Sequence, residues 1–144
     1  MATATIEENK RLARRVPEEI ATGRNIDLVE EVYAEDCVEH GPFGESTEGI
    51  RANEEQLRSF IDAFPDFEAT VEDIVAEGDT VAMRVTLRGT HEGEFMGIEP
   101  TGNSFEVQNT VFTRIEDGKI AERWVQPDTL GMLQQLGVVE SPVD

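Results

Sequence analysis

The sequence is short of several residue types, and each shortage excludes something. One cysteine, Cys37, leaves no partner for an internal disulfide, so oxidation does not hold this fold together. Two histidines, with no His-x-x-x-His pair and no Cys/His cluster, fall below the three protein ligands a catalytic zinc takes, and no metal site is expected. Glycine-rich phosphate loops, nucleotide fingerprints and Ser-His-Asp spacing are also missing, so no cofactor is expected. The longest apolar runs are a few residues, such as Ile74-Val75-Ala76, where a bilayer span needs about 20. Ahead of Glu7 there is no basic segment followed by an apolar stretch, so no secretion signal is read and a cytoplasmic location is expected.

Positive charge is the other shortage. Twelve basic residues, only two of them lysines, face 31 acidic ones, for a formal charge of −19. Such a chain repels nucleic acid, whose phosphates carry the same sign. The acids are spread along the chain, as at Glu7, Glu8, Glu30, Glu31, Glu54 and Glu55, which suits a solvated surface on every element. Lysine scarcity beside acid excess reads as a halophilic surface, because molar salt shortens electrostatic reach to roughly 3 Å. The alternative is an ordinary acidic protein.

What is present suffices for one core. At 144 residues the chain reads as a single domain, with a core over about 6–137 and a loose tail from 138 to 144. Ile6, Leu12, Val16 and Ile20 recur at helical spacing, with a kink or break expected at Pro17 and a stop at Gly23. A short helix with Leu28, Val29 and Val32 inward follows, then a strand over 36–40 and a helix over about 49–63. From Glu68 onward the period changes to two. Strands over 68–76, from Thr80, around Phe105–Ile115 and over 120–126 are joined by turns such as Asp117-Gly118, and a helix over about 128–136 closes the chain. Helices first and hairpin strands afterwards is the α+β pattern. A curved antiparallel sheet with helices over one face would enclose a small-ligand cavity.

Strand parity selects the candidate residues. His40 shares parity with Val38, which points it inward as a proton carrier or carbonyl polariser, or as a satisfied core histidine. Cys37, out of phase with it, reads as inert. Asn109 interrupts an apolar strand face and must be bonded or functional. Trp124, Gln126 and Asp128 share a parity, so an inward Asp128 would have an indole and an amide beside it. Asp128 follows a proline and precedes a helix, so it is either an N-cap or a buried base with raised pKa. Phe60, Met83, Val85 and Met132 are assigned to the apolar wall. Thr110 and Phe112 alternate against Phe105, Val107 and Val111, so both sheet faces carry apolar residues and a homodimer is expected.

Three stretches together resemble the SnoaL-like polyketide cyclases: Tyr33-Ala-Glu-Asp-Cys-Val-Glu-His40; Gly78-Asp79 with 89–102; and Asp117-Gly-Lys-Ile-Ala-Glu-Arg-Trp124 continuing through Asp128 to Gly137. The resemblance implies the cone-shaped nuclear transport factor 2-like fold, usually dimeric. It also implies cofactor-free acid–base chemistry on a small apolar carbonyl compound, of cyclase or isomerase type, with the working aspartate carried to Asp128. His40 or Asn109 would polarise the oxygen that becomes enolate-like. A non-catalytic pocket protein and a homodimeric interaction module of the same fold are the alternatives.

Overall fold

The computed structural model describes residues 5–140; most of the tail expected to be loose, from 141 onward, lies outside them. Helix α1 (Ile6–Arg15) starts where the Thr5 hydroxyl accepts the Glu8 N–H at 3.1 Å. Acids fill its first turn and arginines its last, the arrangement the helix dipole favours. Pro17 does not break the helix. The chain widens into a π-helical segment, Val16–Thr22, in which the Gly23 N–H reaches five residues back to the Glu18 carbonyl at 3.1 Å. Proline has no N–H to offer and its ring crowds the carbonyl four residues earlier, and a wider turn relieves both. Glycine is required at position 23 because a Cβ there would lie 2.4 Å from the Glu19 carbonyl oxygen. Arg24, at φ +63°, then staples the helix down, donating to the carbonyls of Ala21 and Phe67 at 2.7 Å each.

A 3-10 turn (Ile26–Leu28) and α2 (Val29–Val32) lead into β1 (Tyr33–His40), β2 (Ser46–Glu48) and α3 (Ile50–Ala63). Four long strands follow, β3 (Glu68–Glu77), β4 (Thr80–Thr90), β5 (Ser104–Glu116) and β6 (Lys119–Pro127), and then α4 (Thr129–Leu136). The six strands form one curved, unclosed sheet in the order β2-β1-β6-β5-β4-β3. It is mixed, which corrects the expectation of a wholly antiparallel sheet: β1 runs parallel to β6, with Glu39 opposite Arg123 and His40 opposite Trp124. A period of two reports which face a side chain takes but carries no information on strand direction. Irregular registers at Val71/Asp73 and Arg114/Ile115 add twist, and the helices fill the concave side. The core there is Phe64, Phe67, Val81, Leu87, Phe105 and Val111, all buried. No helix among the described residues is long and apolar enough to cross a membrane.

The charge ledger leads to a stability test. Nineteen excess negative charges repel one another most in dilute buffer, and molar salt screens them. The melting temperature should rise as KCl goes from 0.05 M to about 2 M. A flat or falling curve would refute the halophilic reading.

Candidate active site

Between the concave sheet face and the helices lies a cavity of about 650 Å³. Its wall is mostly apolar, with Phe60 of α3, Met83 and Val85 of β4, Val111 of β5, Val125 of β6 and Met132 of α4. Tyr33 and Glu39 from β1 and Arg123 from β6 make one polar corner. The parallel pairing sets Glu39 beside Arg123, whose Nη1 donates to Glu39 Oε1 at 2.5 Å and to the Tyr33 hydroxyl at 3.1 Å. Both charged side chains are nearly buried, Arg123 at 11% exposure and Glu39 at 14%.

Burial pushes the Tyr33 phenol up to about 12, although the positive charge of Arg123 pulls the other way. The phenol therefore keeps its proton at any neutral pH. Its oxygen accepts from Arg123, which leaves its own hydrogen free to donate into the cavity. Burial opposes the charge on Arg123, but the Tyr33 oxygen and Glu39 outweigh it and raise its pKa. Such a corner can stabilise developing negative charge on a bound carbonyl oxygen.

Asn109, on β5, also stands in the wall, paired in register with Val85 and Pro127; its buried Oδ1 has no hydrogen-bond partner among the described residues.

The other polar candidates lie elsewhere. Arg123 and Val125 face inward, so Trp124 and Gln126 face outward, and neither lines the cavity. Tyr33, Cys37 and Glu39 hold the inward parity of β1, which puts His40 on the outer face and corrects its assignment to the pocket. Reading the parity from Val38 and Trp124 failed because the outer face also carries apolar side chains. There His40 stacks on Trp124, with ring centroids 5.4 Å apart, and its Nε2 bonds Glu122 Oε2 at 2.6 Å. That hydrogen bond, opposed by desolvation and helped by Arg114, holds the Glu122 carboxyl below the usual carboxylate range. Cys37 is buried, and burial pushes its thiol up.

Asp128 is the N-cap of α4. Its Oδ1 accepts the Gly131 N–H at 2.9 Å, and glycine is needed there because a Cβ would meet the carboxylate at 2.3 Å. The residue is exposed and absent from the wall, although Pro127 and Thr129 on either side belong to it. The expectation of an Asp128 buried against an indole is thereby corrected, because the cap turns its carboxylate toward its own helix.

Two short loops frame the mouth. Phe43 is in the turn after β1, and Met96 is at the tip of a small hairpin in which Phe95 and Ile98 exchange backbone hydrogen bonds; both are exposed and both line the cavity. Phe95 packs on Phe64 at 5.1 Å, and buried His91 accepts the Thr101 N–H at 3.2 Å, so the hairpin's base is fixed. An apolar ligand entering the cavity should cover both tips. Phe43→Ala and Met96→Ala should each weaken binding of a neutral apolar dye such as Nile red by about 1 kcal/mol, roughly fivefold in Kd. Unchanged titrations would exclude these loops from the binding surface.

Comparison with known proteins places this architecture. The profile of the SnoaL-like polyketide cyclase family matches residues 11–136. Aklanonic acid methyl ester cyclase DnrD of Streptomyces peucetius is 34% identical over 132 residues, covering 88% of each chain. The crystal structure of IdmH from Streptomyces antibioticus superposes with a TM-score of 0.78 at 35% identity, over 90% of this chain and 99% of that one. A protein of Catenulispora acidiphila with a ketosteroid isomerase-like fold, 16% identical, covers 89% of this chain and 93% of its own at a TM-score of 0.76, a likeness of fold alone.

Proposed function

The chain belongs to the SnoaL-like polyketide cyclase family, and from that premise we propose that it is a cofactor-free acid–base enzyme closing a ring within a small apolar carbonyl compound. The observation that carries this reading is the polar corner in an apolar cavity. A carrier of apolar molecules has no use for a nearly buried ion pair, which costs several kcal/mol per ion in desolvation before pairing repays it.

In the reaction proposed, the Glu39 carboxylate removes a proton from the carbon α to a carbonyl. The enolate carbon then attacks a second carbonyl within the same molecule, forming the ring C–C bond. The Tyr33 hydroxyl hydrogen-bonds to that second oxygen and protonates the alkoxide, which is more basic than phenolate. The proton held by Glu39 returns to Tyr33, both groups being hydrogen-bonded to Arg123. Atoms balance as an isomerisation, and no external oxidant or reductant enters.

A second assignment of the base rests on a different observation. Asn109 pairs in register with Pro127, next to Asp128, and only Oδ1 of Asp128 is engaged in the cap. By family resemblance Asp128 would be the base, with the Asn109 amide toward the enolate oxygen. Turnover of aklanonic acid methyl ester, the compound for which the S. peucetius relative is named, tests the activity, and Glu39→Gln against Asp128→Asn tests the base. The proposed working unit is a homodimer in the cytoplasm.

A further inference from the structure

The outer face of the sheet carries a second polar constellation, which the cavity does not use. His40 stands directly opposite Ser46 on β2 and opposite Trp124 on β6. Glu122 lies two residues before Trp124, on the same face. The register thus gathers a hydroxyl, an imidazole and a carboxylate from three neighbouring strands, and they bond. Ser46 Oγ is 3.2 Å from His40 Nδ1, and His40 Nε2 is 2.6 Å from Glu122 Oε2. Ser46 is exposed, with His40 and Glu122 partly so, and the set is open to a solute.

Each group is held in the state that nucleophilic chemistry needs. Glu122 Oε1 accepts from Arg114 Nε at 3.3 Å, and the bond to His40 keeps the Glu122 carboxyl below the usual range, so it is ionised at neutral pH. An ionised carboxylate only accepts hydrogen bonds, so Nε2 carries the proton of the neutral imidazole and Nδ1 turns a lone pair to the Ser46 hydroxyl. Stacking on Trp124 fixes the ring plane. Nucleophile, base and orienter in this order mark an activated serine, which is recognised by geometry and not by sequence position.

Two further features suit acyl transfer. β2 is an edge strand. The Glu45 carbonyl accepts from Gly41 and the Gly49 N–H donates to Cys37, so these alternate residues face β1. The Ser46 N–H between them therefore points off the free edge, beside its own hydroxyl, as a donor for an oxyanion. In the same row Trp124 and Phe112, paired in register, are 37% and 47% exposed and offer an apolar platform.

We propose that Ser46, His40 and Glu122 form a second site, which cleaves small apolar carboxylic esters by acyl transfer to Ser46. His40 Nδ1 takes the hydroxyl proton as Oγ bonds to the ester carbonyl carbon. The tetrahedral intermediate expels the alcohol oxygen, which leaves with that proton, and the acyl group stays on Ser46. Water, activated by the same nitrogen, then adds to the acyl carbon and releases the acid. The net change is ester plus water to acid plus alcohol. The proposal is independent of the chemistry assigned to the cavity.

The experiment treats the full chain with p-nitrophenyl butyrate in dilute buffer, where repulsion between copies keeps the outer face uncovered. Absorbance follows p-nitrophenolate, and mass spectrometry of proteolytic peptides locates the acyl group. The expected result is an adduct on Ser46, absent from Ser46→Ala, whose hydrolysis falls to the buffer rate. His40→Gln should slow acylation about 10²-fold, the contribution of a general base, and Glu122→Gln should slow it too. Ser46→Ala replaces an exposed side chain and decides the matter alone if circular dichroism shows His40→Gln to be unfolded. Hydrolysis by Ser46→Ala at the original rate, or an adduct on another residue only, overturns the proposal. So does an adduct on Ser46 that forms equally fast in folded His40→Gln, since the hydroxyl would then react unaided. Ser46 is outside the cavity wall, so failure here leaves the proposed ring closure standing, and loss of ring closure leaves this site standing.

Discussion

Replacing Arg123 with methionine is expected to lower the unfolding free energy by about 3–5 kcal/mol. The guanidinium is 11% exposed and is the cation hydrogen-bonded to Glu39, itself 14% exposed and without another salt bridge among the described residues. Methionine fills similar volume, so the loss arises from a carboxylate stranded beside an apolar cavity and not from a void. The double variant Glu39→Leu/Arg123→Met separates the causes. Removing both charges should recover most of the loss, since replacing a whole buried pair with apolar residues is often close to neutral. Urea denaturation at fixed high salt measures both variants. A loss under about 1 kcal/mol for the single variant would mean that the pair behaves as a surface salt bridge.

The largest kinetic effect is expected at Glu39. Glu39→Gln keeps the shape and the hydrogen bond from Arg123 but cannot take a proton, so kcat should fall about 10²–10⁴-fold with ligand affinity retained. Tyr33→Phe should also lose turnover, by roughly 10²-fold or more, because the donor to the developing alkoxide is gone. Asp128→Asn is expected to leave both turnover and melting temperature near those of the original protein, since asparagine caps about as well as aspartate. Asp128→Ala should cost about 1 kcal/mol of stability through the lost cap. The reverse kinetic pattern, with Asp128→Asn dead and Glu39→Gln active, would move the base to the Asp128–Asn109 end of the cavity. If neither variant changes a measurable turnover, the cavity chemistry proposed here is wrong.

The salt and apolar-loop tests read different layers of the same molecule. Screening acts on charges dispersed over every element, whereas Phe43 and Met96 act only where a ligand covers them. A change in ligand affinity with no change in melting temperature therefore belongs to the mouth.

Much of the architecture could be read from local patterns. Helical spacing of Leu12, Val16 and Ile20, strict alternation in β4, and the Asp117-Gly118 turn each depend on neighbours a few residues away, and each is found in place. Order and spacing of three short stretches were enough to name the family, because a family's sequence records its fold as a whole. At Asp128 the local pattern of Pro127 before it and a helix after it allowed both a cap and a buried base, and the fold decided for the cap.

The site was not legible in the same way. Which parity of β1 and β6 faces the cavity is decided by the packing of α2, α3 and the neighbouring strands. Val38 and Trp124, apolar residues on the outer face, gave the wrong sign for His40 and Gln126. The sequence did hold a partial signal: Glu39 follows buried Cys37 on one parity of β1, although exposed Glu35 shares that parity, and Arg123 stands between Ala121 and Val125 on one parity of β6. A charge on a buried parity implies a partner, and that partner stands 84 residues away. Only the parallel register of β1 on β6 brings the two together, because strand direction and long-range pairing are properties of the folded sheet. By itself, then, the sequence determined most of the helices and the long strands, the acidic composition and the family, but not β2 or the π-helical turn at Pro17. The tertiary structure decided which side chains share the cavity, since that depends on contacts between segments whose periodicity says nothing about one another.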